Sequence, residues 1–303
     1  MQDVVSFWSV LQATLLTPWG IAASVTKLFL YVASLLSVGM FLFRMALPRA
    51  GDEVSSALKP LALIAIIVAM LVTVIRVLVQ AGRMMDDGIV GMLDPEIISI
   101  SLEGPLGQST YLRLGGLSLL LIAALSRPLR VPATLFGAIM VTGSFALTGH
   151  ATRDPQLLLG GLIMFHLLAV SYWLGALPAL YLLAHPKRSF AQAAEVADKF
   201  GKQASVIVPM LIIAGATFLW LLLENPFKLF DTNYGIVMLA KIGGVSIVLL
   251  FAALNKLKFV PELARGAPGA AARFRKSLRF EVMAFLLVFM ATAVLTTSFT
   301  VPV

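Results

Sequence analysis

The chain contains no cysteine, only three histidines, and few charged residues for its 303-residue length. The missing cysteine excludes disulfides and thiolate metal sites, so any soft-metal chemistry must use methionine and imidazole. Charged residues make up 13% of the sequence, well below the roughly 25% of soluble domains. There is no Gly-rich phosphate loop and no His-Glu zinc helix. Nothing resembles the site of a hydrolase, kinase or dehydrogenase, and the chain reads as a transport or binding protein rather than an enzyme. A basic n-region is also missing from Met1-Gln2-Asp3, so the start does not read as a cleaved signal.

What is there is apolar. Hydrophobic residues make up 59% and mean hydropathy is +0.95. About 20 apolar residues cross a bilayer core, and eight stretches qualify: 21–43, 60–80, 111–126, 132–149, 157–184, 205–223, 236–255 and 280–299. The expected fold is all-α, an integral membrane helical bundle of about eight transmembrane helices forming a single polytopic domain over 1–303. The net charge of +8 could suggest nucleic acid, but its distribution argues against that. The loops 44–59, 126–131, 185–202 and 256–279 hold 3, 2, 4 and 7 Lys and Arg, 16 of the 23. The other loops hold only Arg83, Arg113, Arg153 and Lys228. By the positive-inside rule the first set is cytoplasmic and both termini face out. No nucleic-acid partner is expected; membrane lipid is.

Between the spans, residues 1–20 read as a short helix at the outer surface. The outer loop 80–110 is acidic and carries Met84, Met85 and Met92. Within it, Asp94-Pro95-Glu96 has the pattern of a capped helix start. A loop this long suggests a lid or entrance. In the basic cytoplasmic loop 185–202, residues 191–198 read as a short separate helix. Loop 256–279 reads as a flexible connector around Gly266-Ala267-Pro268-Gly269.

Ionisable groups inside a membrane are expensive and usually serve a function. His150 falls at the outer end of the fourth span. His166 falls about ten residues below the outer end of the fifth, roughly 15 Å deep at 1.5 Å per residue. Trp173 follows seven residues later on the same face. The bland alternative for His166 is an interhelical hydrogen bond; the functional one is a metal station or proton relay. His185, beside Pro186-Lys187-Arg188, reads as a solvated loop residue. Arg76 and Lys241 lie near span ends, where snorkelling is the ordinary account. Glu281 is expected to form an interfacial ion pair with Lys276 or Arg279. Gly175 and Ala176 would let a neighbouring helix approach closely.

Taken together, Gly149-His150-Ala151, His166-Leu167-Leu168-Ala169 and Trp173-Leu174-Gly175-Ala176-Leu177 resemble the signature of the copper-resistance protein D family. Lys199-Phe200-Gly201-Lys202-Gln203-Ala204 resembles that family's basic-Phe-small motif. Ala252-Ala253-Leu254-Asn255-Lys256 with Pro261 resembles its seventh span and following loop, and Arg275 to Glu281 the start of its last span. The resemblance implies a bacterial inner-membrane protein of eight spans concerned with copper uptake or supply. It also implies a periplasmic copper carrier protein as a partner.

Two functions compete at this point. One is copper transport or delivery, with Met84, Met85 and His150 receiving the ion and His166 holding it midway, supported by Trp173. Thioether and imidazole donors favour Cu(I) over Cu(II). The other is a haem-binding membrane oxidoreductase. A tight hairpin would offset His150 and His166 by roughly 14 Å at 1.5 Å per residue, which disfavours bis-His haem ligation and one shared ion alike.

Overall fold

The computed structural model describes residues 17–50, 52–85, 88–223, 225 and 227–299. Among them the regular structure is entirely helical, and eight helical segments are long and apolar enough to cross a membrane. The spans are α1 (Pro18–Ala46), α2 (Asp52–Met85), α5 (Pro105–Leu125), α6 (Arg130–Gly143, continued by a 3-10 turn to Leu147), α7 (Gln156–Leu183), α8 (Phe190–Leu223), α9 (Asn233–Leu254) and α10 (Ala270–Ser298). Two short helices, α3 (Gly88–Leu93) and α4 (Pro95–Glu103), fill the long loop after α2.

Helix boundaries follow local chemistry. Thr17 caps α1, its Oγ1 accepting from the Gly20 amide at 3.0 Å, and Pro18 occupies the first turn, where a missing N–H costs nothing. Residues 18–20 therefore belong to the first span. The rest of the expected surface helix, 1–16, lies outside the described residues. Asp94 caps α4 as its sequence pattern predicts, with Oδ1 accepting from Glu96 N at 2.8 Å and Ile97 N at 3.4 Å.

Two cytoplasmic-loop expectations need correction. The segment 191–198 is helical but is not separate, because α8 runs unbroken from Phe190. Ala193, Ala194, Val196, Ala197 and Phe200 are buried there, so the apolar face of this stretch packs instead of lying free. The connector 256–279 is also mostly helix. A π-helical turn, Asn255–Phe259, carries α9 onward to Ala264. The turn proper is 265–269, where Gly266 and Gly269 adopt positive φ, a conformation glycine reaches without a Cβ penalty.

Helix α1 is the centre of the bundle, packed on α2, α6, α7 and α10. Its closest seam is with α7. A Cβ on Gly39 would stand 1.8 Å from the Ser171 carbonyl oxygen, and one on Gly175 would stand 2.0 Å from the Gly39 carbonyl carbon. The small residue expected at Gly175 thus brings two backbones into contact. On the other side, α9 packs on α10 and α8 packs on α7, but α8 and α9 hardly touch along their spans. That leaves a gap between them, floored by α7 and α10.

Candidate functional site

His166 points from α7 into this gap. Its ring lies against α8 where Gly215 leaves room: a Cβ there would come within 3.4 Å of both Nδ1 and Cε1. His166 Nδ1 is buried and makes no hydrogen bond of ordinary geometry, although the backbone of Leu211, one turn before Gly215 on α8, stands within polar reach of the ring. An imidazole nitrogen withdrawn from water with only a poorly aligned backbone neighbour keeps spare capacity for a ligand. Across the gap on α9, Lys241 is close enough for its charge to act on the ring.

Trp173, two turns further along α7 and about 10 Å away at 1.5 Å per residue, opens a second layer. Its Nε1 donates to Glu281 Oε1 at 2.7 Å, and Asn255 Nδ2 donates to Glu281 Oε2 at 2.7 Å. Phe285 meets the indole edge-on, with centroids 5.5 Å apart. Glu281 is only 2% exposed, so both carboxylate oxygens are satisfied by neutral donors. Asn255 Oδ1 is left without a partner. These groups border a cavity of about 210 Å³ between α7, α8, α9 and α10. Tyr172, the neighbour of Trp173, donates to Gln203 Oε1 on α8.

The Glu281 arrangement overturns the sequence expectation. Lys276 and Arg279 are exposed while Glu281 is buried, so the carboxylate is turned away from its cationic neighbours along the helix. The missed signal was periodicity: Glu281 falls in register with Phe274, Leu278, Phe285 and Val288, all buried, on the stripe that faces the bundle. Arg113 needs the same correction. Expected in a loop, it is 3% exposed within α5. Its Nε donates to Ser144 Oγ at 3.0 Å and its Nη2 to Ser109 Oγ at 2.9 Å, with Phe145 4.3 Å beneath the guanidinium.

The remaining expected residues do not join His166. Met84 ends α2 half exposed, its Sδ accepting from Ser101 Oγ of α4 at 3.5 Å. It belongs to the α2–α4 side of the bundle, whereas His166 belongs to the α7–α8 side. The side chains of Met85 and His150 lie outside the described residues. No cluster of three His, Asp or Glu suited to a metal ion occurs among the described residues. Any station at His166 is thus built around one imidazole and sparse additional donors.

The eight apolar helices, with Trp173 and Glu281 buried among them, define a multi-pass membrane protein. Residues 16–158 match the family described as copper resistance protein D-like, N-terminal domain, and residues 194–295 match copper resistance protein D. Together these matches span most of the chain, which belongs to the copper resistance protein D family. The interval 159–193, with His166 and Trp173, lies between the two matches. No curated protein and no solved structure matches the chain. Family membership gives the protein a role in copper resistance or transport.

Proposed function

We propose that the protein moves copper across or within the bacterial inner membrane, taking it as Cu(I) and holding it at His166. The observation that carries this reading is the buried Nδ1 of His166, which makes no hydrogen bond of ordinary geometry and has only the Leu211 backbone beside it, where Gly215 keeps α8 clear of the ring. Cu(I) accepts imidazole and thioether donors and tolerates few of them, which suits a lone histidine better than it suits a metal that needs a full cage. Copper is the cargo here. His150, Met84 and Met85 gather it at the outer face, and a periplasmic copper carrier protein supplies or receives it there.

The chain is a single membrane domain with both termini outside, an orientation supported by the basic loops. Labelling of Lys187→Cys and Ala267→Cys from the cytoplasm, and of Asp94→Cys and Leu229→Cys from outside, tests it; labelling of position 187 from outside contradicts it. Below His166, the Trp173–Glu281–Asn255 network ties α7, α9 and α10 together. Its oxygens are hard donors already engaged, so it holds the inner side of the path in shape while the soft-ligand work stays at His166. The direct test is cellular copper accumulation normalised to membrane protein level. His166→Ala abolishes copper-dependent accumulation while leaving the protein inserted. Deleting a mere interhelical hydrogen bond costs only about 0.6–2 kcal/mol and would leave accumulation intact, so wild-type accumulation in the variant returns His166 to a packing role.

A further inference from the structure

At the opposite corner of the bundle from the Glu281 network, α1 and α2 enclose a small cavity of about 70 Å³, lined by Thr26, Lys27, Arg76, Gln80 and Arg83 with the small side chains of Ala23 and Val79. Lys27 lies nine residues from the start of α1 and Arg76 nine residues from the end of α2. In antiparallel helices that places both about 13 Å in from the same end of the pair, at 1.5 Å per residue. Lys27 Nζ donates to the Thr296 carbonyl oxygen and, at 3.3 Å, to Thr296 Oγ1 on α10. The amine is thereby held inside the bundle and does not reach outward. None of the hydrogen bonds or ion pairs among the described residues involves Arg76 or Arg83. The charges that act on Lys27 are those of Arg76 and Arg83, and Arg76 in turn acts on the buried Arg113. No carboxylate stands among these cations in the described residues.

Several like charges drawn together below a membrane surface repel one another and lose hydration, so such a group persists where an anion completes it. Two guanidinium forks and an ammonium, with the Gln80 amide beside them, are the donor set that matches a tetrahedral oxyanion, while the Thr26 hydroxyl already donates to the Ala22 carbonyl at 2.7 Å. We propose that this cavity binds a phosphate-type oxyanion, either the phosphodiester of a lipid headgroup or free inorganic phosphate. The cavity's volume suits one such group, since a single water occupies about 30 Å³, and its depth is reachable from the headgroup zone. The bound anion neutralises the corner and pins α1 to α2 and, through Lys27 and Thr296, to α10. The site is independent of the copper reading and stands or falls without it.

The test uses the full-length protein purified in detergent and stripped of lipid. Its thermal midpoint is followed while titrating dioctanoylphosphatidylglycerol, dioctanoylglycerol (the same chains without phosphate) or inorganic phosphate. The midpoint rises with phosphatidylglycerol or with phosphate and not with the phosphate-free glyceride. A rise with the lipid alone assigns the headgroup, and a rise with phosphate alone assigns the free ion. Arg76→Gln weakens the responding ligand roughly tenfold, the loss expected for one charged hydrogen-bonding partner. Arg83→Gln, at the exposed rim, weakens it less and serves where Arg76→Gln fails to fold. No response to either phosphate source, an equal response to the glyceride, or an unchanged affinity in both variants overturns the site.

Discussion

Glu281 and the pair Lys27–Arg76 are ionisable groups withdrawn into the same helical bundle, yet the protein treats them differently. Around Glu281, two neutral N–H donors each meet one carboxylate oxygen at 2.7 Å, so the charge is completed by the chain itself. Around Arg76 stand the Tyr31 phenol, the cation of Arg83 and a cavity, with no carboxylate among the described residues. His166 stands nearer the second case, with Nδ1 buried and only the Leu211 backbone beside it, out of ordinary hydrogen-bond geometry. The contrast separates groups whose role is finished on folding from groups whose environment is completed by something bound. In this protein the C-terminal spans hold the finished carboxylate, and the unfinished sites lie at the α1–α2 corner and in the α7–α8 gap.

The seam that joins these regions sets the largest expected effect. Gly175→Val places a branched side chain where a single Cβ would already stand 2.0 Å from the Gly39 carbonyl carbon. The backbones cannot separate without pulling α1 from the centre of the bundle. The variant is expected to give almost no folded protein by size-exclusion profile in detergent; a wild-type profile would show that the seam is not needed for assembly. Next is Glu281→Ala, which leaves the Trp173 and Asn255 donors buried without an acceptor. At 1–3 kcal/mol for each unsatisfied group, the loss is about 3 kcal/mol. Glu281→Gln keeps one carbonyl acceptor and loses less. Thermal unfolding measures both, and equal midpoints for wild type and Glu281→Ala would mean that the carboxylate is not a finished structural element.

Lys241 gives a smaller effect with a defined sign. Its charge acts on His166 from α9, and a bound copper cation would be repelled by it. Lys241→Met removes that repulsion, so copper affinity rises and release slows. A fall in affinity would mean that Lys241 serves the site in another way. The smallest effect belongs to the outer loop. Met84→Leu/Met85→Leu keeps volume and removes the sulfur donors, so uptake weakens at low copper and stays near wild type at saturation. An unchanged concentration dependence would leave Met84 as the packing partner of Ser101 and place capture elsewhere.

Features that depend on local chemistry were legible in the sequence. The eight spans, the Asp94 cap and the close approach at Gly175 follow from apolar length, capping residues and side-chain size. Features that depend on which face of a helix turns inward were harder to read. Glu281 was paired by proximity with Lys276 and Arg279, although its spacing from Leu278 and Phe285 puts it on the buried stripe. Asn255 reaches Glu281 through a π-helical turn, and no periodicity in the sequence marks that turn. Lys27 and Arg76 stand at mirrored positions in two antiparallel helices, and their meeting is visible only once the pairing of α1 with α2 is known. His166 draws notice in the sequence for a simpler reason: an imidazole deep in a span has few ordinary uses.

The proposed copper station is His166. Competition titration of Cu(I) against a chromophoric chelator, on purified wild-type protein and on His166→Ala, tests it most directly. Wild type is expected to withdraw copper from the chelator and the variant to bind one equivalent fewer, with its thermal midpoint close to wild type. Equal copper stoichiometry and affinity in the two proteins would contradict it.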